Sequence, residues 1–124
     1  MIQEDYVSFE TSKLLKESGF DVNCYTHYSS NGQNVYYNYQ TPSDGINMPT
    51  LQMAMKWLRE VHKLFIQVCI VPHTTVTMEQ KYYFFSIHKD RRNLAFRDGF
   101  PNTYYSTYEE ACEAAIKYCL EKLI

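Results

Sequence analysis

Hydrophobic and polar positions alternate along this chain in three helical stretches separated by strand-like ones. The clearest helical stretch follows Pro49-Thr50. Gln52, Lys56, Arg59, Glu60 and Lys63 project onto one narrow stripe at about 100° per residue. Leu51, Met53, Ala54, Met55, Trp57, Leu58 and Val61 fill the rest of the circle. This spacing predicts a helix from Leu51 to about His62 that is covered on more than one side, either as the central helix of the fold or with its Trp57–Met53 edge against a partner. A shorter helix is predicted from Phe9 to Ser18, with Ser8 as N-cap. Gly19 ends it, and Phe20 is placed to fold back over Leu15 as in a Schellman ending. Its apolar stripe is thin, which places it on the surface.

The third helix starts at Ser106-Thr107-Tyr108-Glu109, which fits a capping box with Ser106 as the cap. Tyr108, Ala111, Cys112, Ala115, Ile116, Cys119 and Leu123 share one face. Glu110, Glu113, Lys117 and Glu121 share the other, with Glu113 and Lys117 at a favourable i,i+4 spacing.

Strands lie between the helices. Asn31-Gly32 is a strong hairpin signal, because a type I′ turn needs two residues at positive φ. A two-residue loop there pairs Tyr28 with Val35, Thr26 with Tyr37 and Cys24 with Tyr39 on the core face. Tyr25, His27, Tyr36 and Asn38 then face outward. After the central helix, Leu64 to Val71 and Lys81 to His88 read as two strands, with Leu94 to Arg97 as a short fifth. Alternation turns Ile66, Val68, Ile70, Tyr83, Phe85 and Ile87 inward and Phe65, Cys69, Tyr82, Phe84 and His88 outward.

The expected fold is a single α+β domain over residues 1–124, in the order α-β-β-α-β-β-(β)-α. It has one antiparallel sheet of four to five strands and helices mainly on one face. Lys13-Leu14-Leu15-Lys16-Glu17 echoes Lys56-Trp57-Leu58-Arg59-Glu60, a similarity that two amphipathic helices show over five residues without duplication.

Composition adds three points. A chain of 124 residues with 45% apolar content can bury a core and is not disordered. The formal charge of −2 speaks against a strongly basic nucleic-acid binder. Met1 to Asp5 is acidic with no apolar run behind it, and no stretch approaches the roughly 20 apolar residues of a membrane span. A cytoplasmic protein with no membrane association is therefore expected. Cys24, Cys69, Cys112 and Cys119 lack metal or redox spacing. The last two are separated by about 10.5 Å of helix rise, too far for a disulfide.

No phosphate loop, nucleophile elbow or zinc-protease motif is present. Cys69 and His73 are weak as a nucleophile and base, because a cysteine in an apolar strand is usually inert. His27, His62, His73 and His88 lack ligand spacing. The reading is therefore non-enzymatic, with no metal and no cofactor.

The aromatic surplus carries more. Phe, Tyr and Trp make up 16% of the chain, more than one core face takes. Tyr25, Tyr36, Phe65, Tyr82 and Phe84 fall on the non-core face. Left open, that face is a protein-binding platform; covered by the first helix, it is a second core layer. The candidate partner-binding residues are these five and Trp57. The alternative is nucleic-acid binding through Lys81, Lys89, Arg91, Arg92 and Arg97, a basic segment beside Tyr82 and Phe84. The order α-β-β-β-α from the central helix onward matches double-stranded-RNA-binding domains. Those carry lysines where this chain has Glu109, Glu110 and Glu113.

Three stretches together resemble a group of small uncharacterised proteins encoded in gut-bacterial genomes and by their phages and prophages. They are Val7-Ser8-Phe9-Glu10-Thr11 through Gly19-Phe20, Pro49-Thr50-Leu51 through Arg59-Glu60, and Tyr108-Glu109-Glu110-Ala111 through Leu123-Ile124. The resemblance covers the three helices and brings no site residues with it. It implies an accessory protein of a mobile element that binds a host protein. Self-association as a homodimer through the wide apolar arc of the central helix is the other expected partnership.

Overall fold

The computed structural model describes residues 2–38, 44–70, 82–89, 93–97 and 104–124. They form α1 (Phe9–Glu17), β1 (Thr26–Tyr28), β2 (Val35–Tyr37), β3 (Ile46–Asn47), α2 (Leu51–Val61), β4 (Leu64–Ile70), β5 (Tyr83–Lys89), β6 (Asn93–Arg97) and α3 (Tyr108–Tyr118). A π-helical turn, Cys119–Leu123, continues α3. The architecture is α+β as expected, but the strands divide into two antiparallel three-stranded sheets, β2-β1-β3 and β4-β5-β6. The division replaces the single sheet expected from the sequence.

The larger sheet follows its alternation. Ile66 pairs with Ile87, Val68 with Phe85 and Ile70 with Tyr83, so the apolar residues line one face, although Ile70, expected inward, is exposed at the end of β4, beyond the reach of the core. Phe85, Ile87 and Leu64 are buried there, packed with Leu58 of α2 and Ile116 of α3. The short fifth strand forms as β6, with a bulge opposite Ile87 and His88. The irregularity keeps Phe96 against the core, where its ring stacks on Tyr118 at 3.8 Å.

α2 is the central helix. Thr50 caps it by accepting from the Met53 amide, and it packs on β4 and α3. Phe20 covers Trp57 edge-on at 5.4 Å. Phe20 is held there by the Schellman ending of α1: its amide donates to Leu15 and that of Gly19 to Lys16. Gly19 takes φ +97°, a left-handed conformation open to glycine.

The start of α1 is gripped by α3. Ser8 caps α1 as expected, and Glu113 Oε1 accepts from the Ser8 amide at 3.0 Å and from Thr11 Oγ1 at 2.7 Å. A capping box draws that carboxylate from the helix's own third residue; here a glutamate 105 residues away supplies it. Lys117 reaches Glu10 of α1 at 2.9 Å. The expected Glu113–Lys117 pairing within α3 is therefore replaced by three bonds across to α1 and its cap. These bonds, with Thr11 and Ser12 buried beside Leu15, seat a helix whose apolar stripe is thin.

The cap of α3 is shifted by one residue from expectation. Thr107, not Ser106, accepts from the Glu110 amide. Both positions are followed three residues later by glutamate, so the pattern fits twice. Ser106 Oγ instead donates to Glu110 Oε2.

The hairpin keeps its expected register. Thr26 faces Tyr37, His27 faces Tyr36 and Tyr28 faces Val35. Its turn differs: Ser29 donates to Asn34, Gly32 donates to Ser29, and only Gly32 takes positive φ. A four-residue loop has the same centre as a two-residue one, so the pairing survives the change of turn. Tyr39, the expected partner of Cys24, lies outside the described residues.

Candidate functional site

The two sheets part the expected aromatic platform. Tyr25 and Tyr36 belong to the hairpin, whereas Phe65, Tyr82 and Phe84 belong to the outer side of the larger sheet. The faces of the hairpin also differ from expectation. β3 pairs on the far side of β1, which makes β1 central and β2 an edge. His27 is consequently buried, its ring 5.5 Å from that of Tyr36. Val35 and Tyr37, expected in the core, are exposed along with Tyr36. A two-strand reading could not anticipate this, because a two-residue strand such as β3 has no visible alternation.

Trp57, expected on a partner-facing edge of α2, is buried. It is 7% exposed and sits in the core between Phe20 and the His62 ring, the latter at 4.8 Å. Met53, its companion on the expected edge, is 42% exposed. One turn of helix separates them, and only Met53 reaches the surface.

Around Met53 lies a cleft of about 240 Å³, lined by Tyr6, Val22, Tyr25, Met48, Pro49 and Met53 among others. Three segments build it. The chain before α1 runs beside the start of α2: the Val7 amide donates to Pro49, the Leu51 amide donates to Asp5, and Tyr6 bridges to Thr50. The segment entering β1 forms the opposite wall, fixed where the Cys24 amide donates to Asn47 Oδ1. Tyr25 is 50% exposed, and Tyr6 and Val22 are exposed beside it. Tyr25 was legible from the sequence; Tyr6 and Val22 were not, because they lie on irregular chain with no periodicity.

The outer side of the larger sheet is a second surface. Phe65 faces His88 and Cys69 faces Phe84 across β4 and β5. Gln67, Cys69, Phe84, Ser86, His88 and Arg97 surround a shallow hollow of about 260 Å³, and the Arg97 guanidinium lies 5.4 Å from the Phe84 ring centre. α1 does not cover this side; it packs on β3 and α3. Lys89 is exposed at the end of β5, and no strand of this sheet contains an acidic residue. The Tyr82 ring lies tilted against that of Tyr104, with centres 5.4 Å apart. Lys81, Arg91, Arg92 and His73 lie outside the described residues.

Other groups carry less chemistry. A hollow of about 360 Å³ at the end of α1 is lined by Ser12, Lys16, Asp21 and Asn47 among others, and the buried Ser12 hydroxyl has no hydrogen-bond partner there. Burial pushes the thiol of Cys112 up to about 11 and that of Cys119 up to about 12, which removes their nucleophilicity near neutral pH. Among the described residues, no three His, Cys, Asp or Glu side chains gather as a metal site, and no helix is long and apolar enough to cross a membrane.

Comparisons with family models, with curated proteins and with solved structures return no match.

Proposed function

We propose that this protein is a non-enzymatic interaction module that binds another protein through the cleft around Tyr25 and Met53. The observation that carries this reading is the grouping of Tyr6, Val22, Tyr25 and Met53. All four are large, apolar and at least a third exposed on one hollow. Scattered apolar residues need no explanation, but a lined cleft of them is the usual form of a protein anchor site. The resemblance to phage- and prophage-encoded proteins makes a host protein the favoured partner and the cytoplasm the favoured compartment.

A specific observation favours one second reading, nucleic-acid binding on the outer side of the larger sheet. Phe84 and Phe65 offer rings for bases, Arg97 and Lys89 offer charge to phosphates, and the three strands carry no carboxylate to repel them.

The test is a capture from host lysate with tagged wild-type, Tyr25→Ala and Arg97→Ala proteins, each split into nuclease-treated and untreated halves. A protein that survives nuclease and is lost with Tyr25→Ala supports the first reading. Nucleic acid lost with Arg97→Ala and retained with Tyr25→Ala supports the second instead.

A further inference from the structure

We propose that the free edge of β4 is the interface of a homodimer, in which β4 pairs antiparallel with β4 of a second copy about a two-fold axis at Gln67. β4 is the outermost strand of the larger sheet and runs for seven residues. An edge strand turns the N–H and C=O groups of alternate residues away from its neighbour. Among the described residues no hydrogen bond reaches β4 from that side. β5 is its one strand partner, and its backbone makes no bond to a loop or side chain. A row of extended backbone groups is fitted by another strand. The edge shares no residue with the cleft around Tyr25 and Met53, so this interface stands apart from the reading above.

The other strand edges are guarded. β2 and β3 are three and two residues long. β6 carries the bulge and ends on the exposed Arg97. Short strands, bulges and charged side chains are the devices that keep an edge from pairing. β4, Leu64-Phe65-Ile66-Gln67-Val68-Cys69-Ile70, has none of them: it holds no charge and no proline, and its register on β5 is unbroken.

A second copy is the strand that fits. About an axis at Gln67, Ile66 faces Val68 of the second copy, Phe65 faces Cys69 and Leu64 faces Ile70. Every residue keeps its own side of the sheet, so the apolar inner faces join. Ile66 and Val68 belong to that face yet stay only partly buried, and Ile70 is 53% exposed. The pairing covers Ile66 and Val68 with each other, and sets Ile70 of one copy opposite Leu64, a core residue of the other. No charge meets a like charge along the strand, and a formal charge of −2 gives little repulsion between whole chains. The two-fold contact uses both β4 edges and leaves the guarded β6 strands outermost, so assembly stops at two.

The test is sedimentation velocity over a wide concentration range with wild type, Gln67→Lys, Gln67→Glu and Met53→Lys. The wild type should sediment as a dimer, and Met53→Lys should remain one. Gln67 is exposed, so either charge should leave the fold intact, with far-UV circular dichroism as the control. Each charge meets its own copy across the axis and should raise the dissociation constant of the dimer about tenfold or more. An equimolar mixture of Gln67→Lys and Gln67→Glu should sediment as a dimer again, because lysine then faces glutamate. A wild type that is monomeric at every concentration, or a dimer that ignores Gln67→Lys, would overturn the proposal. Loss in both Gln67 variants without recovery in the mixture would overturn the two-fold pairing at Gln67. A dimer dissolved by Met53→Lys alone would put the second copy in the cleft and refute the β4 interface.

Discussion

Replacing Gly32 by alanine should destabilise the protein through two separable terms, one in the backbone and one against Phe9. Gly32 adopts φ +76°, a conformation that costs an L-residue about 1–2 kcal/mol. A Cβ built there also meets the Phe9 ring at 2.5, 2.6 and 2.7 Å, inside any tolerable contact. The nearest atoms include ring Cγ, close to the root of the side chain, so the ring cannot escape by bending its tip. Phe9 is in turn held edge-on to Tyr28 at 5.4 Å. Relieving the overlap should add about 1–3 kcal/mol, the usual cost of overpacking. The sum is about 2–5 kcal/mol, a large part of the total stability of a small domain. Urea unfolding of the wild type, Gly32→Ala, Phe9→Ala and the double variant, followed by the fluorescence of the single tryptophan, separates the terms. With Phe9 removed, Gly32→Ala should cost only its backbone share. A coupling energy within about 0.5 kcal/mol of zero would refute the docking of the hairpin loop on the start of α1.

Other positions yield equally direct tests. Trp57→Ala should cost about 3–5 kcal/mol in the same urea assay, since the ring is buried against Phe20 and His62; a loss near zero would restore it as a surface contact. Lys63 takes φ +57° between α2 and β4. Lys63→Gly should therefore raise the unfolding free energy by about 0.5–1 kcal/mol, the strain released less the entropy glycine loses on folding; a fall in stability would contradict the assigned conformation. At pH 8 iodoacetamide should leave Cys112 and Cys119 unmodified in the folded protein, because thiols at about 11 and 12 are ionised there in roughly one molecule in a thousand or fewer. Peptide mass spectrometry reads this, and labelling at the rate of free cysteine would show the site to be open. Glu113→Ala should cost about 1.5–3 kcal/mol, as for hydrogen bonds to a charged group. Glu113→Gln should cost less, since its carbonyl can still accept from Ser8 and Thr11; equal losses would show that the charge, not the acceptor, holds α1.

How much of this was legible follows from where the information lies. The boundaries of α1 and α2 and the start of α3 were readable within a residue or two, because caps and a Schellman glycine are local chemistry. The inner and outer sides of β4 and β5 were readable because seven-residue strands show alternation. The hairpin register was readable even though the turn was not, since register depends only on the centre of the loop. What failed depends on a third strand. β3 is two residues long and reverses the burial of His27 and Tyr37 by making β1 central. The reach of Glu113 and Lys117 to α1 was hidden for a related reason: a helix-surface charge has many partners within reach, and sequence spacing reveals only those on its own helix.

The division into two sheets also decides how the surface can be used. A single aromatic face would have put Tyr25, Tyr36, Phe65, Phe84 and the basic segment within one footprint, leaving protein and nucleic acid as rivals for it. In the structure α2 stands between. Its Met53 edge opens on the cleft, while other residues of the same helix pack on the inner side of β4, whose outer side carries Phe65 and faces away. The lining of the cleft is uncharged, and the strand cations, Lys89 and Arg97, go with the larger sheet. The cations of the sheet thus stand apart from the uncharged cleft. Tyr25→Ala and Arg97→Ala therefore act as independent perturbations. A partner that responded equally to both would need to wrap around α2 and the sheet beneath it, a footprint well beyond a single anchor cleft.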